Sequence, residues 1–235
     1  MNIPMVILEN EYKIPNDIIR WADSHSVPIL KGTLKNCHDD ISYIIEYSDE
    51  CDIAMLDLTY CHAYGLAGTI GNTPRLIIRE LSDKDMYLYR RLIKSYPDVL
   101  NDISMAGLSP KDFKLRHEAY IRYSYGFLGY GIWGIFLKQG GMIGIAGIDG
   151  TDEPELSYAL FKKYFGKGYA FEACDFILKY CRSVLNLNNI IINTDFSNTR
   201  SIKLAEKLKE IHPSLEIRIK NKDISRHPNV FVRRP

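Results

Sequence analysis

Apolar positions along this chain switch between two periods, and the switches mark out its elements. Met5-Val-Ile-Leu8 is a short continuous apolar run, as a buried strand requires. Asp17-Ile-Ile-Arg-Trp-Ala-Asp-Ser-His25 has helical spacing, with Pro15 and Asn16 as start signals. Val27-Pro-Ile-Leu30 and Ile41-Ser-Tyr-Ile-Ile-Glu46 predict two further strands, and Cys51 to Tyr64 predicts a helix ended by Gly65. Strands alternating with helices over residues 1–70 point to a small parallel α/β unit. Ala67-Gly-Thr-Ile-Gly-Asn-Thr-Pro74 has turn composition and is expected to be the linker to a second domain, residues 75–235.

The second domain opens with a strand, Arg75 to Leu81. Ser82, with Asp85 three residues on, forms a near capping box for a helix reaching Ser95, which Pro97 stops. Pro110 favours the start of a helix over Lys111 to Ser124. Gly131–Lys138 and Met142–Ile148 read as a hairpin around Gln139-Gly-Gly. Glu155 to Phe161 is the next strand. Ala170, Ala173, Cys174, Ile177, Leu178, Cys181, Val184 and Leu185 then recur at helical spacing and predict one apolar face. Asn189–Thr194 predicts a strand parallel to Glu155–Phe161. Thr199–Glu210 predicts a helix, and Leu215–Lys220 and Val230–Arg233 the last strands.

Composition narrows the function. A formal net charge of +1 over 235 residues supplies no electrostatic drive toward nucleic acid. No apolar stretch is long enough to span a membrane, and the N-terminus lacks the charged and apolar regions of a signal peptide, so a cytoplasmic protein is expected. The five cysteines are irregularly spaced and read as free thiols. Cys37, His38, Cys51, Cys61 and His62 contain no Cys-x-x-Cys pair, so no metal site is expected. The tyrosines between Tyr120 and Tyr130 read as packing and pocket lining. For Trp133, lining an acceptor pocket and packing on the sheet are both open.

The most informative stretch runs from Glu155 to Cys174. It reads as strand, glycine turn and first helical turn, with Gly166 and Gly168 in the turn. The start of a helix carries unpaired N–H groups and a partial positive charge, and glycine lets an anion approach the backbone closely. A dinucleotide turn needs a third small residue where this chain has Phe171. The Gly-x-x-x-x-Gly-Lys-Ser/Thr loop is absent. A diphosphate held by main-chain amides, without a metal, is what remains.

Three blocks carry a family resemblance. Lys163-Tyr-Phe-Gly166-Lys167-Gly168 and its continuation Tyr169-Ala170-Phe-Glu-Ala resemble the Gln/Arg-x-x-Gly-x-Gly/Ala loop of GNAT superfamily N-acetyltransferases. Asn198-Thr-Arg-Ser201-Ile-Lys-Leu-Ala-Glu206-Lys-Leu208 resembles the Asn-x-x-Ser-x-x-x-x-Glu-Lys-Leu of the branch with the ribosomal-protein N-terminal acetyltransferases. Arg75-Leu-Ile-Ile-Arg79 resembles that branch's opening strand. Lys163 replaces the usual Gln or Arg, Lys209-Glu210 replaces Gly-Phe, and Ala205 lies near where many relatives carry a tyrosine acid. Leu56-Asp-Leu-Thr-Tyr-Cys, just ahead of the second domain, resembles a truncated haloacid-dehalogenase-like lead segment, without the Asp-x-Asp of a phosphatase.

The resemblance implies an α/β (α+β) fold with a mixed, splayed central sheet flanked by helices, and acetyl-CoA as co-substrate for an amine acceptor. It implies that the backbone of Ala159, Leu160 and Phe161 holds the pantetheine arm, and that amides around Phe165, Gly166, Lys167, Gly168, Tyr169 and Ala170 hold the diphosphate. Glu155, which matches the Glu of the family's Glu-Ile/Leu-Gly-Tyr strand, is the first candidate base, with Glu153 second. Ser201 is the candidate proton donor to the thiolate. Asn198 contacts pantetheine or orders the acceptor side, and it is equally suited to cap a helix. A non-catalytic acyl-CoA sensor is the alternative function. The lead segment is expected to pack on the catalytic unit or mediate a homodimer.

Overall fold

Pro28 lacks an N–H, so it joins the first sheet only through its carbonyl, which accepts from Ile7 N–H at 3.0 Å. The computed structural model describes residues 5–9, 12–32, 41–96 and 107–220. By its internal contacts the chain divides into two units, Met1–Ile70 and Gly71–Pro235. In the first unit, β1 (Met5–Glu9), β2 (Ile29–Lys31) and β3 (Tyr43–Glu46) form a parallel sheet in the order β2-β1-β3. The predicted Val27 strand therefore begins after Pro28. Helix α1 (Asn16–His25) buries Ile18, Trp21 and Ala22 against Met5 and Ile7 of the central strand. Helix α2 (Ile53–Ala63) is capped by Asp52, whose Oδ1 accepts from Met55 N–H at 2.8 Å. Trp21 Nε1 donates to Asp57 at 2.6 Å and ties the two helices.

The second sheet has seven strands in chain order. These are β4 (Thr69–Asn72), β5 (Leu76–Arg79), β6 (Ile132–Leu137), β7 (Met142–Asp149), β8 (Glu155–Leu160), β9 (Ile191–Asp195) and β10 (Glu216–Lys220). β5 to β8 pair antiparallel, whereas β8–β9 and β9–β10 pair parallel, so the sheet is mixed. The division between the two units falls within the expected linker, but that stretch is not all turn. Its middle is strand β4, because Thr73 N–H closes a turn onto Leu76 C=O at 2.9 Å and its turn-forming residues make a tight connection.

Helices cover both faces. Asp85 accepts from Ser82 N–H at 2.9 Å and from Ser82 Oγ at 2.7 Å, and a short 3-10 turn (Asp83–Asp85) leads into α3 (Met86–Ser95). Helix α4 (Pro110–Tyr120) passes into a π-helical segment, Ile121–Leu128, ended by left-handed Gly129. Leu92 of α3 packs with Ile145 and Ala159, a cross-strand pair on one face. Trp133, paired with Ala146 on the other face, meets Tyr180 of α5 (Tyr169–Ser183) edge-on at 5.7 Å. α5 buries Ala173, Cys174, Ile177, Leu178 and Cys181, as the periodicity predicts, but it stops at Ser183 and leaves Val184 57% exposed. Helix α6 (Thr199–Ile211) runs one residue beyond the predicted Glu210. The predicted Val230–Arg233 strand lies outside the described residues, as do Cys37 and His38.

Candidate active site

β8 pairs with β7 at six positions and β9 pairs with β10 at five, yet β8 and β9 share only Glu155 and Ile191. Beyond that point the two parallel strands diverge. Phe161 N–H donates to Ile143 C=O at 2.9 Å, so strand alternation turns the polar groups of Tyr158 and Leu160 away from β7 and into the gap. Of the three expected pantetheine contacts, only Leu160 has this orientation. Phe161 N–H is engaged by Ile143, and its C=O accepts from Tyr164 N–H at 2.9 Å. The register of Ala159 opposite Ile145 turns its backbone toward β7.

The strand leads straight into the glycine turn. A 3-10 turn, Lys162–Tyr164, precedes Phe165, and Gly166 and Gly168 have φ of 71° and 79°. These values lie in the left-handed region that side-chain-bearing residues avoid. Gly168 is the N-cap of α5, and its C=O accepts from Glu172 N–H at 3.0 Å. Gly166, Lys167 and Gly168 are exposed, and Phe165, Tyr169 and Ala170 are half-buried, so the turn is open to a ligand. A Cβ built at Gly166 meets nothing within 4 Å. Cations surround the turn. Lys163 and Lys167 sit 5.0 and 5.8 Å from the Tyr164 ring, Arg200 sits 5.4 Å from the Phe165 ring, and Lys207 sits 4.3 Å from Phe171. The arrangement suits a diphosphate.

At the closed end of the gap, Glu155 Oε2 accepts from Asn193 Nδ2 at 2.6 Å, a bridge between the two strands. Burial pushes the Glu155 carboxyl above its ordinary value. The Asn193 bond and Lys220 oppose this, and Asp149, its cross-strand neighbour, adds to it. Asn193 is thus the partner of the candidate base, although nothing in its sequence context marks it. Glu153 is a poorer base, because it is exposed and ion-paired with Arg218 at 3.0 Å.

Asn198 caps α6 with its Oδ1, which accepts from Ser201 N–H at 3.1 Å. That bond orients Ser201, whose hydroxyl lies 2.7 Å from that of Tyr158 on β8. Burial raises the Tyr158 pKa, so it stays protonated at neutral pH. Tyr158, within the Glu-Leu-Ser-Tyr segment, is a further candidate beside Ser201 that the sequence alone does not single out. Ala205 is fully buried in the packing of α6.

Several aromatic candidates prove structural. Trp133 is fully buried against α5, and Tyr125 donates to Ile132 C=O while Tyr120 accepts from Ile132 N–H, pinning β6. Tyr120, Tyr123, Tyr130 and Asp149 line a small cavity of about 30 Å³, roughly one water in size. Among the described residues, no group of three or more metal-ligating side chains gathers, and no helix is long and apolar enough to cross a membrane.

Residues 75–209, more than half the chain, match the family described as Acetyltransferase (GNAT) domain. The fold resembles an acetyltransferase from Agrobacterium tumefaciens str. C58, with 26% identity and a TM-score of 0.50 over 60% of this chain and 81% of that one. It also resembles RimL, a ribosomal L7/L12 α-N-protein acetyltransferase in complex with coenzyme A, with 16% identity and a TM-score of 0.51 over 60% and 82% of the two chains. Spermidine N-acetyltransferase from Vibrio cholerae, in complex with CoA and spermine, matches with 17% identity and a TM-score of 0.50 over 58% and 80%. The last two are remote enough to speak for fold alone. The family match begins at residue 75, so residues 1–70 take no family from it, and their likeness to a haloacid-dehalogenase segment stands without support. The matched residues contain the mixed sheet, its opening between two parallel strands and the glycine turn, and the chain belongs to the GNAT acetyltransferase family.

Proposed function

We propose that this protein transfers an acetyl group from acetyl-CoA to a primary amine by direct attack in a ternary complex. The single contact point between β8 and β9 carries the reading, because it leaves a gap that runs into the glycine turn. The diphosphate binds the amides of Gly166 to Ala170, and the pantetheine arm lies along Leu160. Glu155 takes the proton of the incoming ammonium. Its raised pKa narrows the gap between carboxylate and amine and makes it a better base than an exposed glutamate. The amine nitrogen then bonds to the acetyl carbon and the C–S bond breaks with its electron pair on sulfur. The hydroxyl pair of Tyr158 and Ser201 returns one proton to that sulfur, so free CoA and the amide leave. The nitrogen, left with two hydrogens and a positive charge after attack, gives its second proton to the hydroxyl pair, and the proton on Glu155 goes to solvent, so ammonium and thioester become amide, CoA thiol and one proton.

Two structural neighbours are described as acting on spermidine and on ribosomal protein L7/L12, so both acceptor classes belong in the test panel. The test has two stages. Calorimetry should show acetyl-CoA binding with a micromolar or tighter Kd, and Gly168→Glu should abolish it by crowding Arg75, 3.3 Å from a Cβ there, and by adding a negative charge to the turn. No binding at millimolar cofactor ends the proposal. Free-thiol detection with polyamines, N-terminal peptides, aminoglycosides and amino acids should then reveal CoA release for at least one class. Binding without release across the panel leaves an acyl-CoA sensor instead.

A further inference from the structure

The opening-strand block and the glycine-turn block lie about ninety residues apart in sequence, and in the fold they touch through one carboxylate. Glu172, in the first turn of α5, accepts from Thr73 Oγ1 at 2.6 Å, Arg75 N–H at 2.9 Å and Arg75 Nε at 2.6 Å. Burial works against its ionisation, but the hydrogen bonds from Thr73 and Arg75 hold its pKa below the ordinary value. Arg75 also donates from Nη1 to the carbonyl of Lys167 at 2.9 Å, and its guanidinium lies 4.5 Å from the Tyr169 ring. One arginine thus binds the glycine turn and the helix that follows it.

A trans peptide points its C=O and N–H in opposite directions. Holding the Lys167 carbonyl on Arg75 therefore aims Gly168 N–H the other way. Gly168, on one side of this peptide, lies in the left-handed region at φ 79°, and as a glycine it opposes rotation of the peptide least. Without a clamp the peptide flips readily and presents an oxygen to the anion. Glu172 has a second liability, since a carboxylate in the first helical turn occupies the same positive end that an anion needs. Arg75 and Thr73 engage both of its oxygens and hold them against β5.

We propose that Arg75 is a positioning residue that sets the glycine turn for diphosphate binding by clamping the Lys167 carbonyl and neutralising Glu172. The proposal rests on the acetyl-CoA reading above. Arg75→Lys separates positioning from folding, because lysine keeps the charge beside Glu172 but cannot reach Glu172 and Lys167 together. CoA and dephospho-CoA affinities are measured by calorimetry, with thermal unfolding of the free proteins alongside. Arg75→Lys is expected to unfold within a few degrees of the parent and to bind both ligands about tenfold more weakly. Arg75→Ala should bind more weakly still. Parental affinity in Arg75→Lys overturns the proposal. A loss confined to CoA also overturns it, because it moves Arg75 to the 3′-phosphate, which dephospho-CoA lacks. Weaker binding that appears only where the variant is already unfolded at the assay temperature overturns it as well and makes the contact a folding element. Should the parent bind neither ligand, the acetyl-CoA reading fails before any variant is compared.

Discussion

The Tyr158 hydroxyl lies 2.7 Å from the Ser201 hydroxyl, joining strand β8 to the first turn of α6 beside the gap between β8 and β9. The Ser201 backbone N–H donates to Asn198 Oδ1, which fixes Ser201 in the first turn of α6, and either hydroxyl of the pair can be the donor. If it serves as the acid, Tyr158→Phe and Ser201→Ala each lower kcat by about a hundredfold, the lower range for a positioned acid, with CoA affinity little changed. Steady-state kinetics on the acceptor found in the thiol screen, beside calorimetry, measures this. An unchanged kcat in both variants removes the pair from the chemistry.

Glu155 gives a pH dependence. The carboxylate must be ionised to take the ammonium proton, and burial raises its pKa, so activity rises with pH through a limb placed above the ordinary value of 4.5. The Asn193 bond opposes that rise, so Asn193→Ala should move the limb of kcat/KM to higher pH, and Glu155→Gln should erase it. A limb that stays in place in both variants belongs to another group, such as the acceptor amine.

His117 makes a prediction about stability. It is 1% exposed on α4, beside the Tyr89 ring, and neither ring nitrogen has a hydrogen-bond partner among the described residues. Burial pulls its pKa down to about 4, against the nearby charges of Asp83, Asp85 and Glu118. The unfolded chain therefore takes the proton first. Stability present above pH 6.5 is lost as pH falls toward about 4, by about 3 kcal/mol for this group. Urea unfolding at a series of pH values should show the loss, and His117→Phe should flatten that part of the profile. An identical slope in the variant assigns the loss to other groups.

Gly166 and Gly168 separate strain from blockage. Gly166→Ala enters open space, so its cost is the positive φ, about 1 kcal/mol, or a few degrees in Tm. It should leave CoA binding within severalfold of the parent. At Gly168 a Cβ also lies 3.3 Å from Arg75 Nη2, so Gly168→Glu should lower Tm more than Gly166→Ala and bind no CoA. Equal binding by the two variants places the diphosphate elsewhere.

Much of the second unit could be read from local pattern. Period-two and helical runs located β5 to β10 and helices α3 to α6 within a few residues, because burying one face imposes a period on the chain. The misplacements have local causes. Thr69–Asn72 carries turn residues, yet it pairs along the sheet edge next to β5. The helix after Pro110 passes into a π-helical turn around Tyr120 and Tyr125, whose hydroxyls are drawn to the backbone of Ile132, a contact that no helical period encodes.

The glycine turn, its helix and the identity of the family were written in short contiguous runs, because backbone conformation and helix-end charge depend on neighbours in sequence. The opening between β8 and β9, the bridge from Asn193 to Glu155, the partnership of Tyr158 with Ser201 and the grip of Arg75 on Glu172 were not. Each depends on side chains brought together from distant segments, at distances and angles that exist only once the sheet has assembled.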